Sequence, residues 1–260
     1  PASATDMFNT AVGHQAGYAM TTGTANTLIG GLAGDALTVG DTNVALGYLA
    51  LSGEIQGDRS TAIGTAALGA QSNSSNLDVY NTAVGYTAGG NITTGIQNTL
   101  VGGLTGDSLT DADFNVAMGV SALAGDTKGS KSTALGYFAL SVQNFTSATD
   151  TFNVAVGHVA GTAITTGVEN TLIGGLAGDA LTDADANVAV GQGALTTDTL
   201  GSSAVAIGHN AGLNLTNAAY TTLVGGFTGD GYDTENHNTA VGYQALGGSV
   251  AGGEYNTALG

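Results

Sequence analysis

The sequence predicts an all-β fold: a parallel β-solenoid (β-roll) of about fifteen rungs, most of them 17 residues long. Three observations carry this expectation. A five-residue core, approximately Asn-Thr/Val-Ala-aliphatic-Gly, begins at Asn9, Asn26, Asn43, Ser60, Asn81, Asn98, Asn115, Ser132, Asn153, Asn170, Asn187, Ala204, Thr221, Asn238 and Asn256. Its spacing is 17 residues, lengthening to 21 after Ser60 and Ser132 and to 18 after Asn238, and self-similarity at a fixed period marks a stacked repeat architecture. The chain also holds 44 glycines and one proline without any 3.6-residue apolar stripe, which argues against helices because each Gly costs about 1 kcal/mol there.

Within each core the apolar residues place the strand. Position four is aliphatic in every copy, from Val12 and Ile29 to Leu259, and position two is Thr or Val. Alternation puts these two on one face and position three, always Ala or Leu, on the other. Apolar residues on both faces predict burial on both. Whenever position three is Leu (Leu28, Leu100, Leu172, Leu223), position six is Gly, so the two are expected to share one packing space. Position five is always Gly, as expected of a bend that needs φ > 0 or a close backbone approach. The Asn at position one is expected to form a hydrogen-bonded ladder between rungs.

Four kinds of rung alternate. The first carries His/Tyr-x-Ala-Gly after its core, the second reads "GGLAGDALT", the third "YLAL" or a variant, and the fourth opens with Ser and has the long loop. Together they sum to a 72-residue super-repeat, giving copies at about 9–80, 81–152, 153–203 and 204–260 within a single elongated domain. The long-loop rung is skipped after Asn187. At ~4.8 Å per rung the stack would extend roughly 70 Å. The segment "SATDMFN" at Ser3 matches "SATDTFN" at Ser147, and the final "NTALG" opens another rung. Uncapped ends of this kind expose strand edges that recruit another copy, so a head-to-tail filament is expected.

Composition narrows the function. Only Arg59, Lys128 and Lys131 are basic against twenty acidic residues, a net charge of −17, which disfavours nucleic acid and anionic membrane. No Cys is present to build a disulfide framework or a thiolate site. No run of about 18 apolar residues points to membrane insertion. Every polar residue of catalytic type belongs to a repeated column or a variable loop, so no enzyme is expected. The Thr pairs at Thr21, Thr93 and Thr165 recur too sparsely for an ice-binding grid.

The string "SSAVAIGHNAG" at Ser202 resembles the head repeats of YadA-like trimeric autotransporter adhesins, and "NTAVGYQALGG" at Asn238 is similar to repeats of phage and bacterial tail-fibre-type proteins. The resemblance covers essentially the whole chain. It implies a left-handed β-roll, a homotrimer, an extracellular, cell-surface or virion-fibre location, and a structural or adhesive role with a glycan or host receptor as partner.

Candidate sites follow from the loops. The acidic turns after the second rung type resemble a Ca²⁺-binding nonapeptide, so Asp107, Asp111 and Asp113, and likewise Asp179, Asp183 and Asp185, are candidate oxygen ligands. The first copy retains Asp35 and Asp41, the last Asp230 and Asp233. His14, His158 and His209 share one column with Tyr86 and are expected to fill space. Sequons place candidate N-glycosylation at Asn73, Asn91, Asn144 and Asn214.

Overall fold

A computed structural model of the protein describes residues 6–217, 219–231, 234–248 and 253–260. Ser3–Thr5 and Asp233 lie outside the described residues. Among the described residues there are strands, turns and bends but no helix. Each of the fifteen cores forms a three-residue strand over positions two to four, from Thr10–Val12 to Thr257–Leu259. The fold is a parallel β-solenoid of about fourteen turns.

The chain divides into two compact units. One comprises the residues up to Ser130 with Thr146–Thr149, the other Lys131–Phe145 with Asp150–Gly260. Such a division follows from the architecture, because each rung touches only its neighbours. In the first unit the strands Thr10–Val12, Thr27–Ile29, Val44–Leu46, Thr61–Ile63, Thr82–Val84, Thr99–Val101 and Val116–Met118 pair in parallel. In the second, Thr133–Leu135 and the seven strands after it do the same. Equivalent core positions pair throughout, as Ala155 with Leu172 and Leu172 with Ala189. The long loop after Ser60 adds a short parallel pair, Gly57–Asp58 with Leu77–Asp78.

Two expectations about packing are corrected. Only position three faces the interior: Leu28, Ala45, Ala62, Leu100 and Leu172 are buried, whereas the strands show half-buried or exposed residues at positions two and four. A coil built from one chain has one interior, and the opposite strand face is left to water. Position six also faces outward, so it cannot share space with Leu28. The residue that yields to that leucine is at position nine. A Cβ on Gly34 would lie 2.9 Å from Leu28 Cδ2, and one on Gly17, in the preceding rung, 2.8 Å from Cδ1. Rungs of the third and fourth types, with Ala at position three, carry Leu at position nine instead, as in Leu51, Leu68, Leu123 and Leu140, all buried. The Gly at position six is not required by crowding: at Gly31 and Gly226 a Cβ would make ordinary contact with the rings of Tyr48 and Tyr243, at 3.4 and 3.6 Å, and at Gly103 it would meet nothing within 4 Å.

The bend at position five behaves as expected and for a harder reason than conformational freedom. From Gly13 to Gly242 its φ lies between 130° and 145°, and a Cβ there would meet the carbonyl of the next rung's glycine, 2.4 Å away for Gly174 against Gly191 O. Adjacent glycines therefore separate in their tolerance. Gly102→Ala would press a methyl to 2.6 Å from Gly119 O, while Gly103→Ala meets nothing within 4 Å. Gly102→Ala is expected to destabilise by about 3 kcal/mol or more through strain and a broken stack. Gly103→Ala is expected to stay within about 1 kcal/mol of the parent. Chemical denaturation of both variants checks the contrast.

Candidate functional site

The polar interior is arranged in columns, and the Asn column organises the rest. The position-one Asn residues are buried, except for the half-buried Asn9 and Asn256. Its Nδ2 donates across its own turn to the carbonyl fourteen residues on, as Asn26 to Gly40 (2.8 Å), Asn98 to Ala112 (2.8 Å) and Asn170 to Ala184 (2.8 Å). Its Oδ1 accepts the position-one N–H of the next rung, as Asn26 from Asn43 (2.8 Å) and Asn170 from Asn187 (3.0 Å). Direct Asn-to-Asn contacts are longer, 3.3 Å for Asn98 Nδ2 to Asn81 Oδ1. The ladder thus runs through the backbone rather than from amide to amide.

Two of the proposed calcium ligands, Asp113 and Asp185, belong to a second ladder of opposite direction, as does Asp41. Asp41 Oδ1 accepts the N–H of Thr24, Asp113 that of Ile96, and Asp185 that of Val168, at 2.6, 2.7 and 2.8 Å. Asp111 and Asp183 take the hydroxyls of Thr110 and Thr182, and Lys128 Nζ stands 3.7 Å from Asp111. Asp107 and Asp179 sit at another corner, where burial raises both carboxyls above the ordinary aspartate range. Neither trio is brought together: among the described residues no group of three or more His, Cys, Asp or Glu side chains is placed to hold a metal ion.

The remaining candidates lie on the surface with one exception. His14, His158 and His209 are exposed, as is Tyr86, so they do not fill the space beside position three. His158 stacks on Tyr137 with ring centroids 5.4 Å apart, and His209 packs edge-on to Phe227. Asn91, Asn144 and Asn214 are exposed. Asn73 is not; it is buried with its Nδ2 held 2.8 Å from Glu54 Oε2.

Sequence reasoning missed the position-twelve column. In the first two rung types it is aliphatic in all copies but one, with Leu37, Ile92, Leu109, Ile164 and Leu181 buried. In the third it is a buried carboxylate: Glu54, Asp126 or Asp198. Glu54 is wrapped by donors, its Oε1 accepting the N–H groups of Ile55, Gln56, Gly57 and Asn73 and its Oε2 the amides of Gln71 and Asn73. Gln71 also donates to Ser60 Oγ and accepts from Asn81 Nδ2. The available signal was the acid at position twelve in three of the four "YLAL"-type rungs.

Asp198 is the odd member. Its Oδ1 accepts from Gly201 N–H at 2.9 Å, but its Oδ2 is buried with no hydrogen-bond partner. The long-loop rung that supplies Gln71 to Glu54 is the one skipped after Asn187, and Leu215 stands in the place of that glutamine. Burial raises the Asp198 carboxyl above the ordinary range, partly offset by the N–H groups of Gly201, Leu200 and Thr199.

One cavity of about 340 Å³ opens beside Tyr86 and Asp107 in the first unit. No family model, curated protein or solved structure matches the chain. Fold and columns together define it as a parallel β-solenoid repeat protein.

The orphaned carboxylate gives a measurable pH signature. A raised folded-state pKa means that the folded protein holds the Asp198 proton more tightly than the unfolded chain. The associated stability is full below the ordinary aspartate pKa and is lost as pH rises through the folded value. Asp198→Asn is therefore expected to stabilise at neutral pH by about 1 kcal/mol. The gain should shrink toward zero below about pH 4, as read from thermal unfolding of both proteins across that range.

Proposed function

We propose that the chain is a structural segment of an extracellular fibre or adhesin head that assembles with copies of itself, as a homotrimer or a head-to-tail filament. The observation that supports this reading is the outward face of the core strands. In the first unit Val12, Leu46, Val116 and Met118 are exposed along it, and in the second Ile173, Ile207 and Val241. Rows of aliphatic side chains facing water on regularly stacked strands are the signature of an association surface, and their recurrence along both units suits a like surface on a second copy. The resemblance to adhesin-head and tail-fibre repeats supports the same arrangement, with the variable loops presented to a glycan or receptor.

The electrostatics suit a structural role. Arg59, Lys128 and Lys131 are engaged with Asp78, Asp111 and Asp150, so the rest of the acidic surface keeps the excess of negative charge that opposes nonspecific adhesion to nucleic acid. The buried polar groups serve the ladders between rungs, which favours a non-catalytic reading. Among the described residues no helix is long and apolar enough to cross a membrane.

Sedimentation equilibrium tests the proposal. The native chain is expected to be oligomeric at micromolar concentration. The double variant Ile173→Glu with Ile207→Glu should be monomeric yet folded, because both side chains point outward. A native chain that stays monomeric up to millimolar concentration would overturn the reading.

A further inference from the structure

The cavity beside Tyr86 is a departure from the repeat, and that departure indicates what it takes. Its lining includes Ala66, Tyr86, Thr87, Gly90, Asn91 and Asp107. Seventy-two residues on, the equivalent positions hold Phe138, His158, Val159, Thr162, Ala163 and Asp179. Phe138 and Thr162 are bulkier than Ala66 and Gly90, and Thr162 is tied to Ser141 by a 2.9 Å hydroxyl contact. Asp179 accepts a hydrogen bond from Thr196, whereas Ala124 occupies the position of that threonine next to Asp107. Five of the six compared residues thus differ, and the differences open the space, add polar atoms and free the one shared carboxylate.

The hydrogen-bond inventory sets the ligand class. The N–H groups around the cavity are committed: Thr87 to Thr65 O, Gly90 to Thr87 O, Asn91 to Asp107 O, Leu104 to Tyr86 O and Ala66 to Tyr48 O. The Asn91 side-chain amide also donates to Asp107 O, at 2.7 Å. What remains is the Asp107 carboxylate, Asn91 Oδ1, the Tyr86 ring and the Thr87 hydroxyl, whose oxygen has no partner. Acceptors and one negative charge dominate, with Leu104 as an apolar wall. A neutral sugar would leave the Asp107 charge without a counter-charge, and an anion would be repelled by a chain of net charge −17.

We infer that this cavity binds a primary alkylammonium group, a free amine or the side chain of a lysine, with the ammonium on Asp107 and its aliphatic stem against Tyr86 and Leu104. An ammonium carries three donors and no acceptor, complementing the unspent atoms. The exposed Tyr86 ring adds a cation–π surface. Partial desolvation of Asp107 strengthens the charge-assisted bond that an ammonium makes there. The site needs no second copy, since every lining residue comes from one unit of one chain.

Amide chemical shifts of the isotope-labelled full chain provide the test. n-Butylamine, and an acetylated, amidated Gly-Lys-Gly peptide, are expected to give saturable shifts at Thr87, Gly90, Asn91 and Asp107. Tighter binding of the peptide would assign the ligand to a protein side chain, and tighter binding of the amine to a free metabolite; both agree with the inference. Asp107→Asn should weaken binding about tenfold or more, and Ala66→Phe, which copies Phe138, should abolish it. Transfer of the lining into the second copy (Phe138→Ala, His158→Tyr, Val159→Thr, Thr162→Gly, Ala163→Asn, Thr196→Ala) should create a second site. Absence of saturable shifts, equal shifts with 1-butanol, or shifts that survive both Asp107→Asn and Ala66→Phe would overturn the inference.

Discussion

The structure depends on one repeated interaction, the double engagement of the position-one asparagine. Its amide nitrogen closes the turn it belongs to, while its oxygen receives the N–H of the next rung. The first bond fixes how many residues lie between strand and closing carbonyl; the second fixes the register of the stack. Both bonds are buried, where an unsatisfied group costs about 1–3 kcal/mol, so a rung of the wrong length loses both at once. Where the Asn is replaced, something else must reach. Ser60 and Ser132 are too short to cross the turn, and Gln71 and Gln143 reach back to them, at 3.0 and 2.9 Å, while accepting the amides of Asn81 and Asn153.

The same stacking pays for the corners. The residue before each core and the residue at position seven are left-handed at nearly every turn without being glycine: Phe8, Thr42, Tyr80 and Phe152 at the first, Leu32, Leu104 and Leu176 at the second. A non-glycine residue in that region costs about 1–2 kcal/mol. Backbone N–H groups at these corners donate to the preceding rung, as Leu32 to His14 O at 2.8 Å, Thr42 to Thr24 O at 2.9 Å and Leu104 to Tyr86 O at 2.9 Å. The strain is held by the array rather than by local chemistry.

That division explains what could be read from the sequence. The fold class, the strand positions, the parallel stacking and the Gly13-type bend were legible because each is stamped on every repeat. The direction of the strand was not. A three-residue strand apolar on both faces, such as Thr27–Ile29, carries no sign of which side is interior. The sign lay further along, in the near-constant Ala at position eight (Ala33, Ala50, Ala67, all buried) that marks a tight inside corner. The left-handed corners left no trace, since Leu and Phe occupy them where glycine would have been the signal. Of the candidate sites, Asp113 and Asp185 were visible as acids but not as backbone acceptors, because a turn aspartate looks the same in either role. The cavity was legible only as a difference between copies, Ala66 against Phe138.

The four-rung period itself follows from polar satisfaction. An aliphatic position twelve closes the core in the first two rungs. The third places a carboxylate there, and Glu54 is stable in the interior because the fourth rung supplies Gln71 and the long loop supplies Asn73. Gln71 in turn has room because position one of its rung is the small Ser60, and its own oxygen is satisfied only by Asn81, the first residue of the following super-repeat. Carboxylate, glutamine, serine and long loop are therefore one device, and none of them can be duplicated or deleted alone without leaving a buried group unpaired. The skipped rung after Asn187 shows the consequence. Asp198 keeps the turn-capping oxygen and loses the partner of the other, so the unit by which this array can grow without cost is the 72-residue block rather than the single rung.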